Sequence, residues 1–205
     1  RLTLHETNSY YYDQVAFKLK IQVSRAYVVK NIQDLLHGFF EKRLERFGKN
    51  VNIYLTPDDL DEPSKKIYDF LLKYAFTKEW QKDGEIYPEC MDDFYDLNAS
   101  LPKEYTEFKT SEKDIKLVLK LVEHEDCFEI TTDLDDSFLI GKKHLYVMDY
   151  KEIIRFKLDS DGLLASLAYN LQQSDGWLIK KNDFRAFYLQ CIQPYTDYIK
   201  LETNV

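Results

Sequence analysis

The stretch that decides the fold is residues 15–41, VAFKLKIQVSRAYVVKNIQDLLHGFFE. Its first part alternates apolar and polar residues, which predicts a half-buried strand with a lysine-bearing solvent face. A polar break at Ser24 and Arg25 precedes a second apolar run at 26–29, and the two runs predict a hairpin. Asn31 is placed to cap a helix that follows. The apolar residues expected on one face of this helix are Ile32, Leu35, Leu36, Phe39 and Phe40.

The composition bounds the class of protein. A chain of 205 residues suffices for one large domain or two small ones. The 16 Tyr and 13 Phe favour β-rich or mixed structure, and only 6 Gly and 5 Pro argue against disorder. The formal net charge is -8, so affinity for a polyanion such as nucleic acid would need a local basic patch.

Cysteine usage and hydropathy indicate the setting. Cys90, Cys127 and Cys191 are odd in number and far apart, which favours reduced thiols and a cytoplasmic location. No run of about 18 apolar residues occurs, so no membrane span is predicted. Because the chain opens with Arg1 rather than Met, we expect it to be a piece of a longer protein.

The first half predicts strands mixed with helices. Tyr10, Tyr11 and Tyr12 belong either to a leading strand that pairs with the strand at Val15 or to a frayed start. The charged segment 41–49 is predicted to end at Gly48 as a helix C-cap. A short strand is expected at 51–55. A second amphipathic helix from Ser64 onward is expected to bury Ile67, Phe70, Leu71 and Tyr74.

The segment 81–110 is the least regular, and we expect a loop with a short helix near 91–97. It is the best candidate for a boundary, which gives an N-terminal α+β lobe at 1–100 and a C-terminal α+β lobe at 101–205. A single domain is the alternative.

The second half predicts an antiparallel meander over 115–158. The run 115–122 fits a helix, which Ser111 and Asp114 could cap, or a strand, and the alternating lysines favour the strand. Ser160 is expected to cap a helix through Leu171, and Asn182 is expected to cap a last helix that ends before residue 194. A final strand is expected at 198–201. The predicted fold class is therefore α+β, with antiparallel strand meanders and helices packed on them.

The usual chemical motifs are missing. Gly141-Lys142 lacks the upstream glycines and the Ser or Thr of a phosphate-binding loop. His124 and Cys127 form one pair without a second, which does not make a zinc site. The paired aspartates lie in polar turns, where solvation is the expected state. We therefore expect no catalytic residue, metal or cofactor.

Lysines are the candidate nucleic-acid contacts. Lys18 and Lys20 share one strand face. Three further lysine pairs lie among aromatic neighbours: Lys65-Lys66, Lys142-Lys143 and Lys180-Lys181. The alternative is that these side chains only make the surface soluble. The residues proposed for nucleic-acid contact are Lys18, Lys20, Lys142, Lys143, Lys180 and Lys181.

The order of these patterns resembles a known family. FKLKIQV at 17–23 and AYVVKNIQDLL at 26–36 are followed by HLYVMDYKEIIRF at 144–156 and FRAFYLQCIQP at 184–194. This sequence is similar to the accessory (helicase-associated) domain that precedes the motor of bacterial SWI/SNF-family helicases. The strand at 27–30 and the segment 145–156 carry most of the likeness, whereas the acidic loop at 85–110 matches poorly.

The resemblance implies a non-catalytic piece of an ATP-dependent DNA translocase. Its partners would be the ATPase motor of its own parent chain and DNA, and it would position DNA or partners or restrain the motor. Two alternatives remain: a free-standing protein-interaction module, which would use exposed Tyr and Phe, and a metal-dependent hydrolase, which would use the acidic loops.

Overall fold

The computed structural model describes residues 1–7, 15–82, 84–159 and 161–204. The chain divides into two compact units, one formed by 1–110 with 148–153 and the other by 111–147 with 154–205. The chain first passes from one unit to the other after Thr110. The lobe boundary predicted between residues 100 and 101 instead falls at the end of a helix that finishes at Ser100.

Unit 1 places helices against a mixed set of short strands. The elements are β1 (Leu2–Glu6), β2 (Val15–Gln22), β3 (Ala26–Val28), α1 (Ile32–Glu41), β4 (Leu44–Phe47), β5 (Val51–Tyr54), α2 (Glu62–Tyr74), β6 (Trp80–Lys82), β7 (Glu85–Ile86) and α3 (Met91–Ser100). The main sheet has the order β1-β2-β7-β6, with β3 also paired to β2, and β4 and β5 form a separate two-stranded sheet. Short 3₁₀ turns occur at Pro57–Asp59 and Pro88–Cys90.

The predicted hairpin and helix of residues 15–41 are confirmed. Buried and more accessible residues alternate along β2, and β3 pairs antiparallel with it. The side chain of Asn31 accepts a hydrogen bond of 2.8 Å from the Asp34 backbone N–H, so Asn31 caps α1 as predicted. β1 supplies the partner strand on the other side of β2, with Leu4 opposite Leu19. Tyr10, Tyr11 and Tyr12 lie outside the described residues.

Two expectations about the end of α1 are wrong. The helix stops at Glu41, because Lys42 adopts a left-handed conformation with φ 53°. Phe40, in the last turn of the helix, is 79% exposed rather than buried with the rest of the predicted apolar face. Gly48 is not a helix C-cap: it lies in the turn between β4 and β5.

Aromatic rings form the centre of unit 1. The ring of Phe94 on α3 lies 5.6 Å from that of Phe17 on β2, 5.7 Å from that of Phe70 on α2 and 5.3 Å from that of Phe108. This cluster joins the sheet to α2 and α3. The predicted apolar face of α2 is confirmed, since Ile67, Phe70, Leu71 and Tyr74 are all buried.

Unit 2 packs helices on a four-stranded sheet. The remaining elements of the chain are β8 (Lys109–Asp114), β9 (Leu117–Glu123), β10 (Cys127–Thr132), β11 (Leu139–Ile140), β12 (Leu145–Asp149), β13 (Glu152–Lys157), α4 (Leu163–Gln172), β14 (Trp177–Lys180), α5 (Lys181–Phe187) and β15 (Ile199–Asn204). The sheet of unit 2 has the order β14-β10-β9-β15, and a second four-stranded sheet has the order β11-β12-β13-β8. The chain changes unit within β8, β12 and β13. α5 continues into a π-helical turn at Tyr188–Ile192 and a 3₁₀ turn at Gln193–Tyr195.

The strand alternative for the run at 115–122 is confirmed by β9, which pairs antiparallel with β10. The capping role of Ser111 and Asp114 is wrong, because both residues belong to strand β8. The strands of 115–158 are also divided between two sheets rather than forming one meander. The final strand, β15, runs parallel to β9.

The helix caps of unit 2 differ from those predicted. The Asp159 carboxylate accepts hydrogen bonds of 3.2 Å from the backbone N–H groups of Leu163 and Leu164 at the start of α4. Ser160 lies outside the described residues. Asn182 is already inside α5 and does not cap it, because the helix begins at Lys181.

The predicted α+β class is confirmed by helices packed on mainly antiparallel sheets. Cys90, Cys127 and Cys191 are free thiols. Within the described residues no helix has the length and apolar character needed to cross a membrane.

Candidate nucleic-acid interface

Charge is distributed very unevenly along the chain. Residues 15–54 contain eight Lys and Arg but only three Asp and Glu, although the whole chain carries a net charge of -8. This segment comprises β2, β3, α1, β4 and β5, all within unit 1. The excess of cations that a local basic patch would require therefore lies within one unit.

Two hairpin turns of this basic segment meet in space. The β2–β3 turn carries Arg25, and the β4–β5 turn carries Gly48. A Cβ atom added at Gly48 would lie 3.2 Å from the hydroxyl oxygen of Tyr27 and 3.4 Å from an Nη atom of Arg25. The rings of Tyr27 and Phe47 are 5.7 Å apart. We call Arg25, Tyr27, Arg46, Phe47 and Lys49 the turn cluster.

The two arginines of the turn cluster are held in place by neutral acceptors. Arg25 donates a hydrogen bond of 3.0 Å from Nε to the Tyr27 hydroxyl, and its guanidinium lies 5.2 Å from the Tyr27 ring centroid. Arg46 donates to the carbonyl oxygens of Gly48 and Lys49 at 3.2 and 3.1 Å. Among the described residues no carboxylate forms an ion pair with Arg25, Arg46 or Lys49.

Arg43 shows the contrasting arrangement. Its guanidinium lies 3.1 Å from Asp34, 3.5 Å from Glu41 and 3.1 Å from Glu45, and the hydrogen bond with Asp34 is the main cause that raises its pKa. Three carboxylates surround this one cation, so Arg43 is not part of the candidate interface.

Lys18 and Lys20 lie together on the accessible face of β2. Lys18 is opposite His5 and Lys20 is opposite Thr3 on β1, and Val28 of β3 flanks Lys20 on the other side. Within the part of the chain that the structure describes, neither lysine forms an ion pair. These two candidate residues therefore share one face, as the alternation predicted, and remain available to an anion.

A chain of hydrogen bonds runs beside this face. Thr3 Oγ1 lies 2.7 Å from His5 Nε2, and His5 Nδ1 lies 2.9 Å from Glu107 Oε1. The other Glu107 oxygen accepts a 3.0 Å bond from the Glu6 backbone N–H. The hydrogen bond from His5 is the largest cause that lowers the pKa of Glu107. This arrangement fixes β1 to the segment at 105–107.

The other four predicted lysines belong to unit 2. Lys142 and Lys143 lie between β11 and β12, and both take part in interactions with neighbouring groups. Lys180 is exposed at the end of β14. Lys181 is less available, because its Nζ lies 2.8 Å from Glu123 Oε1.

The sequence interpretation missed Arg25, Arg46 and Lys49. Paired lysines gave the prediction, whereas Arg25 is far from Arg46 and Lys49 in sequence and comes near their turn only in the fold. The excess of cations over residues 15–54 was the signal that could have identified them.

A metal centre has no support in the described residues, which contain no group of three or more His, Cys, Asp or Glu suited to hold an ion. His124 Nε2 instead lies 2.9 Å from Glu129, and Asp135 accepts a hydrogen bond from the Ser137 backbone. No family model, curated protein or solved structure matches the chain.

Proposed function

We propose that this chain is a non-catalytic accessory domain of a bacterial SWI/SNF-type ATP-dependent DNA translocase and that unit 1 contacts the DNA backbone. The observation that carries DNA contact is the turn cluster, where Arg25 lies over the Tyr27 ring beside Phe47. Among the described residues, Arg25, Arg46 and Lys49 form no ion pair with a carboxylate. The assignment to the translocase rests on the likeness of residues 17–36, 144–156 and 184–194.

The arrangement suits phosphate recognition for a physical reason. A guanidinium binds phosphate oxygens through a planar set of donors, and its gain is larger when the side chain is already ordered. The Tyr27 hydroxyl orders Arg25, and two backbone carbonyls order Arg46. Lys18 and Lys20 add positive charge in the same unit.

Within the parent protein, the domain would position DNA for the motor or restrain it. ATP hydrolysis would belong to the motor of the parent chain, and the setting would be the cytoplasm. This proposal requires that the 205-residue chain itself does not hydrolyse ATP, with or without DNA.

Fluorescence anisotropy with a labelled duplex of about 20 base pairs at low salt tests DNA contact. We expect weak binding, in the range of sequence-independent contacts. The variant Arg25→Ala/Arg46→Ala/Lys49→Ala should bind about tenfold more weakly or worse, because each cation contributes a phosphate contact. The absence of wild-type binding at about 100 µM protein would contradict DNA contact.

The matched control is Lys66→Ala/Lys78→Ala/Lys103→Ala. It removes the same charge from exposed positions of the same unit, outside residues 15–54. Its affinity should stay close to that of the wild type. An equal loss in both variants would show that only overall charge matters, which would contradict a defined interface.

A second candidate function is supported by exposed apolar side chains. Phe40 is 79% exposed, Leu44 54% and Tyr54 66%. Such side chains are what a protein-interaction module would present to a partner. A protein-interaction module would use this surface whether or not DNA binds. Loss of a co-purifying partner in Phe40→Ser, with DNA affinity unchanged, would favour this function.

A further inference from the structure

One face of the β4–β5 hairpin consists of exposed side chains. Leu44 lies opposite Tyr54 and Arg46 lies opposite Asn52, and all four side chains are exposed. Opposite residues of an antiparallel pair project to the same side of the sheet. The other side carries Glu45, Phe47, Val51 and Ile53, which are half-buried. We call Leu44, Arg46, Asn52 and Tyr54 the hairpin face.

Tyr54 is the main feature of the hairpin face. It is 66% exposed and its neighbour across the ladder, Leu44, is 54% exposed, so an aromatic ring and an aliphatic side chain form a small apolar platform. Arg46 and Asn52 follow toward the turn, where Arg46 donates to the Gly48 and Lys49 carbonyl oxygens. The platform therefore continues to Arg46, one of the cations of the turn cluster.

We infer that the hairpin face binds single-stranded DNA, with an unpaired base stacked on Tyr54 and the adjoining phosphates bound by Arg46 and Lys49. The inference rests on the proposed DNA contact and names the form of DNA. An exposed ring with cations beside it is the combination that single-strand-binding surfaces use. In a duplex the base faces are already stacked on each other, so an exposed tyrosine gains nothing from them.

Charge complementarity selects this occupant over a protein. The segment that contains the hairpin face carries eight Lys and Arg against three Asp and Glu within an otherwise acidic chain. A polyanion with exposed apolar bases matches both properties of the surface. The amide of Asn52 adds a donor and an acceptor for a base edge or a sugar hydroxyl.

The test compares labelled single-stranded and duplex DNA of about 20 nucleotides by anisotropy, with the intact chain. The single strand should bind about tenfold more tightly than the duplex. Tyr54→Ala should weaken single-strand binding about tenfold and leave duplex binding unchanged, whereas Tyr54→Phe keeps the ring and should stay within about twofold of the wild type. Tyr169→Ala, at a tyrosine of unit 2 that is 49% exposed, should have no effect.

The outcomes separate the two claims. If the wild type binds duplex as tightly as single strand, or if Tyr54→Ala leaves single-strand affinity intact, the inference is overturned and DNA contact by unit 1 survives. If neither form of DNA binds, both are overturned. Thermal unfolding of Tyr54→Ala should match the wild type, because the side chain is mostly in solvent.

Discussion

Gly48 is the residue on which the turn cluster depends. Its φ of +64° lies in the left-handed region, and a Cβ atom there would lie 3.2 Å from the Tyr27 ring and hydroxyl. We expect Gly48→Ala to destabilise unit 1 by about 1–2 kcal/mol, from backbone strain and displacement of Tyr27. It should also weaken DNA binding, because Arg25 is anchored on the Tyr27 hydroxyl.

Urea unfolding followed by circular dichroism measures this change. Asn50→Ala is the matched control, since Asn50 is exposed in the same turn and has no positive φ. Its effect should stay within about 0.5 kcal/mol. An equal loss in both variants would argue against the special role of Gly48.

Glu107 gives unit 1 a pH dependence. Its hydrogen bond with His5 is the main cause that lowers its pKa below the ordinary value of about 4.5. The unfolded chain therefore binds the proton more tightly, so the stabilisation is complete above pH 4.5 and is lost as the pH falls through the folded pKa. Glu107→Gln should lower stability at pH 6, and its difference from the wild type should shrink toward pH 3.

Parallel urea titrations of wild type and Glu107→Gln between pH 3 and 6 test this expectation. Other carboxylates titrate in both proteins, so their contributions cancel in the difference. A difference that is constant across this range would mean that the Glu107 charge does not contribute.

At the scale of elements, α1 depends on its N-terminal cap. Asn31 accepts from the Asp34 N–H at 2.8 Å, and the buried face that follows includes Ile32 and Leu36. Asn31→Ala should cost about 1 kcal/mol in the free energy of unfolding, and Asn31→Asp should restore most of it, because a carboxylate accepts the same bond. Chemical denaturation of the three proteins provides the comparison; a loss in Asn31→Asp equal to that in Asn31→Ala would contradict the capping role.

The elements that could be predicted are those whose signals are local. The alternation along β2 and the cap at Asn31 lie within a few residues of the structures they specify. The end of α1 was missed because the helix stops before Lys42, which is left-handed, and a lysine in the sequence does not predict that conformation. The parallel pairing of β15 with β9 joins segments about 80 residues apart, and no local pattern specifies such a partner.

The candidate site also has one part that local sequence could predict and one part that it could not. Lys18 and Lys20 were placed on one face by the period of the strand, and the structure agrees. The proximity of Arg25 to Gly48 depends on how two hairpins pack, which the spacing of residues does not encode. Tyr54 was expected in a strand, but its exposure follows from its place on the face of the β4–β5 hairpin opposite the half-buried Phe47 and Ile53, which local sequence does not decide.

At the scale of the whole molecule, the net charge of the chain is negative, whereas residues 15–54 carry a positive charge. The chain carries -8 overall, yet residues 15–54 contain more than twice as many cations as anions. Screening limits the reach of exposed charges to about 10 Å at moderate salt, so a bound phosphate responds mainly to the nearest groups. The acidic remainder of the chain disfavours DNA contact elsewhere, so we expect the proposed contact within this segment of unit 1.

This separation predicts a salt dependence set by the local cations. For duplex DNA the logarithm of affinity falls with the logarithm of salt concentration with a slope of about -0.9 for each phosphate contact. Loss of Arg25, Arg46 and Lys49 should therefore make the slope shallower by about 3, whereas the Lys66, Lys78 and Lys103 control should keep the wild-type slope. Anisotropy titrations from about 20 to 150 mM salt measure all three slopes. Over most of this range the Debye length is longer than it is at physiological salt. If both triple variants shift the slope equally, binding follows total charge and the turn cluster is not the contact; if only the turn-cluster variant shifts it, the phosphates lie where the two hairpin turns meet.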